Sequence, residues 1–116
     1  MPARKAIDKT FAVEHGRLVR TVQLADGRSY FHRCSLEAFR EVAWYIAEHA
    51  DDGVTTQMLW RDLEGVSCTQ ASLALDFLKE RGCVLTRFRR NFPASGFLVE
   101  DALIEFHALE HERCND

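Results

Sequence analysis

The sequence predicts a mixed α/β fold with more helix than strand, in which a three-stranded antiparallel meander precedes three helices, a strand pair and a last helix. Three observations carry that expectation. Residues 11–33 alternate apolar and polar side chains around two turn signals, His15-Gly16 and Asp26-Gly27. Residues 36–81 instead place apolar side chains at helical spacing, interrupted at Gly53 and Gly65. Past Gly82 the pattern alternates again, now rich in arginine.

A chain of 116 residues suffices for one domain with a single core and no disulfide or metal to hold it. The expected division is a loose leader over 1–10, the meander over 11–33, a helical unit with its strand pair over 35–99, and a final helix over 100–113. Hydrophobic content of 47% with 28% charged residues is ordinary for a water-soluble fold, and no apolar run approaches the length of a membrane span. Residues 1–9 carry charges and no apolar core, unlike a secretory signal, so a cytoplasmic protein without a membrane partner is expected. Cys34, Cys68, Cys83 and Cys114 are scattered and form no CxxC, which points to reduced, mostly buried thiols. The net charge of -3 supplies no bulk attraction for a polyanion; any such binding must come from local basic patches.

Arg4, Lys5 and Lys9 make the leader basic, as a solvated end or an arm that touches phosphate. Two-residue turns would pair Val13 with Leu18 and Val22 with Phe31. Phe11, Val13, Leu18, Val22, Leu24 and Phe31 then share one face, with Val19, Thr21, Gln23, Tyr30 and His32 on the other, exposed or in contact with a second copy. Ser35 caps a helix over 36–50, whose core stripe is Leu36, Phe39, Val42, Ala43, Ile46, Ala47 and Ala50. Trp44 and Tyr45 lie outside that stripe, and Trp44 is a candidate protein-interface residue.

A second helix starts at 55 or 56 and runs to 63, burying Met58 or Leu59 with Leu63. After a turn over 64–68, Thr69 caps a third helix over 70–81, with Ala71, Ala74, Leu75 and Leu78 inward. A strand over 83–90, a loop over 91–96 containing Pro93 and Gly96, and a returning strand over 97–99 follow. Glu100 and Asp101 suit the start of a helix over 102–113. Its main stripe is Ala102, Leu103, Phe106 and Leu109, while Ile104 and Ala108 form an apolar pair opposite. A helix apolar on two sides needs two neighbours, and the second is expected to be another copy of the chain, giving a homodimer.

Gly65-Val66-Ser67, Ala71-Ser72 and Leu78-Lys79-Glu80-Arg81-Gly82, followed by a basic strand, resemble the winged helix-turn-helix superfamily over about residues 36–99. The element order carries more of the resemblance than the short motif. It implies that Val66 plugs the gap between two helices, that small Ala71 lets them cross closely, and that Gly82 turns the chain into a wing. It further implies a DNA-binding transcriptional regulator whose third helix enters the major groove of duplex DNA. Gln70, Ser72, Leu73 and Asp76 would then lie nearest base edges, and Arg87, Arg89 and Arg90 of the wing on phosphates or in the minor groove. Two features depart from the pattern: Trp60 stands where a small residue is common, and the turn around 63–65 is one residue longer.

The outward face of the third helix, Leu73, Asp76 and Phe77, fits a polyanion poorly, because carboxylate repels phosphate and apolar side chains gain little there. The alternative is a winged-helix module that binds another protein and has little affinity for DNA, with Trp44, Leu73, Phe77, Ile104 and Ala108 as its interface. The competing expectation is that Phe77 packs under the wing against Phe88 or Phe97 and is not available to a partner. His107, His111 and Cys114 fall on one arc of the last helix but lack a matching second half, so no metal and no cofactor is assigned. An enzyme is not expected: the chain has no Gly-rich phosphate loop and no nucleophile elbow.

Overall fold

The computed structural model describes residues 6–114, and side chains as far as residue 112. Its elements are β1 (Ala6–Glu14), β2 (Arg17–Leu24), β3 (Ser29–Ser35), α1 (Leu36–Glu48), α2 (Thr56–Asp62), α3 (Cys68–Glu80), β4 (Val84–Arg87), β5 (Arg90–Pro93) and α4 (Leu98–Cys114). β1, β2 and β3 form one antiparallel sheet in chain order, and β4 and β5 form a second. β1 starts at Ala6, so the second half of the expected leader is strand; Arg4 and Lys5 lie outside the described residues.

The first hairpin has the expected register, Val13 opposite Leu18, closed by His15 and Gly16 with φ of 53° and 75°. The second does not. Val22 faces Tyr30 and Thr21 faces Phe31, because the turn is one residue longer and Gly27 takes the left-handed position at φ 90°. Asp26 favours this turn by accepting from the Arg28 backbone N–H at 3.0 Å. A slip of one residue reverses every side chain of a strand. Phe31 therefore leaves the expected inner face and stands exposed, while Cys34 and His32 turn inward beside Leu18 and Arg20.

Ser35 caps α1, its Oγ accepting from Ala38 N at 3.0 Å. Ser67, rather than Thr69, caps α3, accepting from Gln70 N at 3.1 Å, so this helix begins two residues earlier than the sequence predicts. The expected strand over 97–99 is absent. Leu98 instead opens α4, where it continues a buried stripe through Ala102, Phe106 and Leu109, and Ser95 Oγ accepts from Phe97 N at 3.0 Å ahead of it. The returning strand is β5, which takes in the first half of what the sequence predicts as loop; Pro93 is its last residue, where a missing N–H costs least.

One apolar core joins sheet and helices. Its spine is aromatic: the Phe11 ring of β1 packs edge-on to Phe77 of α3 at 5.3 Å, Phe77 to Phe39 of α1 at 5.7 Å, and Phe39 to Phe106 of α4 at 5.5 Å. α3 is thus enclosed, with α1 and α2 on one side and β3 on another. The two-stranded sheet is tied to the α1–α2 connection by a bridge in which Val54 and Asn91 exchange backbone hydrogen bonds of 2.8 and 2.9 Å.

Candidate nucleic-acid interface

α3 cannot present the face the sequence assigns to it. Leu73 and Phe77 are fully buried, because the meander lies against that side of the helix and Phe77 is held between Phe11 and Phe39. Both therefore drop out as DNA contacts and as a protein-docking pair. Nor does Phe77 pack under Phe88 or Phe97, which are 94% and 67% exposed. Gln70 is half-buried, and its Oε1 accepts from Ser35 N at 3.0 Å, joining α3 to the start of α1.

Asp76 does not confront solvent as a bare carboxylate. Lys9 Nζ donates to it at 3.0 Å and Arg20 Nη1 at 3.1 Å, and Arg20 Nη2 lies 3.3 Å from His32 Nδ1. The shallow surface here is formed by Lys9, Arg20, Thr56, Ser72, Asp76 and Lys79. Of the residues expected nearest base edges, Ser72 and Asp76 border this surface, among cations of which α3 supplies only Lys79. Arg20 carried a legible signal, since it occupies an inward position of β2 between Leu18 and Val22, and a charge in that phase demands a partner.

The hairpin of β4 and β5 is the most exposed basic element. Phe88 and Arg89 alone form its turn, with φ of 52° and 64°, and Arg87 faces Arg90 across the last rung. Arg87 and Arg89 have no hydrogen bond or ion pair among the described residues. Arg90 differs, because its Nη1 donates to the carbonyls of Asp52 and Gly53 at 3.3 and 3.4 Å and so seats the hairpin on the α1–α2 connection. Asn91, the one buried polar residue described, donates from Nδ2 to Val54 O at 2.9 Å and accepts from Thr86 Oγ1 at 2.8 Å. The tip is thus carried on a base anchored at several points.

Compared with known protein families, curated proteins and solved structures, the chain matches none of them.

A further polar group joins α1 to α2. The Tyr45 hydroxyl donates to Asp62, Arg61 Nε donates to Asp62 Oδ1 at 2.7 Å, and the His49 ring stacks on Tyr45 at 4.2 Å. The Arg61 guanidinium first, and the Tyr45 hydroxyl second, hold the Asp62 carboxyl well below the usual carboxylate range. This is an exposed strap between helices. Among the described residues no three His, Cys, Asp or Glu side chains gather to hold a metal ion, and the Cys114 side chain lies outside them.

The expected interface residues Trp44, Ile104 and Ala108 are exposed, Trp44 at 58% and Ile104 at 64%. They do not form one patch: Trp44 borders Val99 and Arg40, while Ile104 borders Arg81 and Cys83. No helix is long and apolar enough to cross a membrane, among the described residues.

Proposed function

We propose that the protein is a winged-helix DNA-binding regulator that grips duplex chiefly through its wing, the β4–β5 hairpin. Support for the winged-helix reading comes from α2 and α3 packed against each other after α1, from the hairpin that follows α3 through Gly82, and from the Val54–Asn91 bridge that adds a short third edge to it. The observation that carries the DNA reading is the hairpin tip, where Arg87 and Arg89 stand free of any protein partner on a rigid base. Guanidinium forks suit phosphate oxygens and narrow minor grooves. Lys79 and Ser72 on α3, with Lys9 and Arg20 beside them, add a weaker second contact that Asp76 partly neutralises.

Binding of the kind proposed is tolerant of sequence and steeply dependent on salt, because its free energy comes from counterions released at phosphates. Fluorescence anisotropy with a random-sequence duplex should show affinity falling by at least tenfold between about 50 mM and about 200 mM salt. Arg87→Ala and Arg89→Ala should each lower the salt slope by about one. No binding at the lower salt overturns the proposal.

A second reading, a module that binds protein or a second copy of itself, draws on exposed Trp44, Trp60 and Ile104, with Ala108 beside Ile104 on α4. Light scattering at micromolar concentration tests the self-association arm, for which a dimer mass is the expected result. A monomer removes that arm.

A further inference from the structure

We propose that Phe88 is a wedge: the hairpin tip enters the minor groove and the Phe88 ring inserts between adjacent base pairs, kinking a duplex that Arg87 and Arg89 hold by its phosphates. The proposal rests on the DNA-binding reading above and adds what the tip does on arrival.

Phe88 is 94% exposed, well beyond every other large apolar side chain described, the next being Phe97 at 67%. Burying a phenyl ring stabilises a fold, and at this position that stabilisation goes unused. Its backbone is also placed against preference. A two-residue hairpin turn with two left-handed residues favours Asn-Gly, yet here Phe88 and Arg89 occupy it at φ 52° and 64°. Arg87 and Arg90 then set like charges opposite each other on the rung below. Two local choices at one tip oppose folding and a third leaves an apolar ring bare, and residues kept in such conflict mark functional positions.

The combination of groups narrows the ligand. An apolar ring flanked by two unpartnered guanidinium groups matches a target with anionic rails around a stacked, apolar interior, which describes duplex DNA. Size limits what can enter: strand axes about 4.8 Å apart, with their atoms and side chains added, make a ribbon wider than a minor groove about 6 Å across, so only the turn goes in and the turn residues lead. Apolar side chains inserted at base steps partly unstack them and bend the duplex, most readily at pyrimidine–purine steps.

The test uses the full chain and a duplex of about 20 base pairs with 2-aminopurine, a base that brightens on unstacking, beside a central TA step. Wild type should raise anisotropy and brighten the probe. Phe88→Ala should weaken binding about tenfold and, at saturating protein, abolish the brightening. Phe88→Asn, which relaxes the turn, should lose the brightening too, whereas Phe88→Trp should keep it; this separates the ring from the turn geometry. Arg87→Ala should weaken binding yet brighten the probe at saturation. Wild-type binding without brightening, or equal brightening by Phe88→Ala, overturns the wedge and leaves the DNA reading standing. No anisotropy change overturns both. Binding to vesicles of anionic phospholipid with none to duplex assigns the ring to a membrane surface and likewise overturns the wedge.

Discussion

Two turn residues decide how the hairpin stands, and they do so in opposite senses. Gly53 has φ +80°, and a Cβ there would meet the Phe92 ring at 2.6 Å and Arg90 Cβ at 2.9 Å. Gly53→Ala therefore combines a left-handed strain with a clash against the strand it supports, and should cost about 2–3 kcal/mol in urea unfolding. Phe88 stands at the other end of the same hairpin, exposed and also left-handed. Nothing packs on its ring, so Phe88→Asn should remove strain without opening a cavity and stabilise the fold by roughly 0.5–1 kcal/mol. A mutation that stabilises the fold and removes unstacking of DNA would place the cost of the turn on the side of function. A loss of stability in Phe88→Asn would instead mean that the ring supports the hairpin.

At the scale of elements, α3 is held by the meander as firmly as by the helices, and Asp76 is the polar part of that hold. Its partners Lys9 and Arg20 come from β1 and β2, and the Arg20 side chain is only 12% exposed. Asp76→Ala leaves that guanidinium half-desolvated without its carboxylate, at a cost of about 1–3 kcal/mol by urea unfolding. Combining it with Arg20→Met should recover most of the loss, since removing both partners leaves no orphaned charge. Equal losses in the single and double variants would mean that the ion pair does not seat the sheet on the helix. The helices α1 and α2 were legible because Ser35 and Thr55 are N-caps ahead of periodic apolar residues. The inward stripe of α3 was legible for the same reason of period. Its other face is not legible, because helical period shows that Leu73 and Phe77 are apolar but not that a sheet from the other end of the chain covers them. The hairpin is not legible for a different reason: Phe88-Arg89 carries none of the Asn or Gly that announces such a turn, while Pro93 and Gly96 mark the turn between β5 and α4 and not a hairpin. Arg87, Arg89 and Arg90 of the hairpin stood out through the family resemblance, and the partnering of Arg90 with backbone carbonyls needed the fold.

For the whole molecule, the continuous aromatic spine from Phe11 to Phe106 makes meander and helices one cooperative unit, and the pH dependence of unfolding tests this. Cys34 lies on the inner face of β3, fully buried, with Sγ donating to Ser35 O at 3.4 Å. Burial pushes its thiol from an ordinary value of 9.0 up to about 12. The folded chain thus keeps a proton over an interval in which the unfolded chain gives it up. The stability linked to Cys34 is complete below pH 9 and is lost as pH rises toward 12. Cys83 is raised as well, by burial first and then by Glu105 and Asp101, and it adds a slope of the same sign. Subtracting the profile of Cys34→Ala from that of wild type isolates the part due to the meander. Urea midpoints should fall with rising pH above 9 more steeply in wild type than in Cys34→Ala, and the emission of Trp44 and Trp60, both on helices, should report the same midpoint as amide hydrogen exchange in the sheet. Parallel profiles would mean that Cys34 is reached by solvent before the helices unfold, and that the meander opens as a separate unit instead of sharing their core.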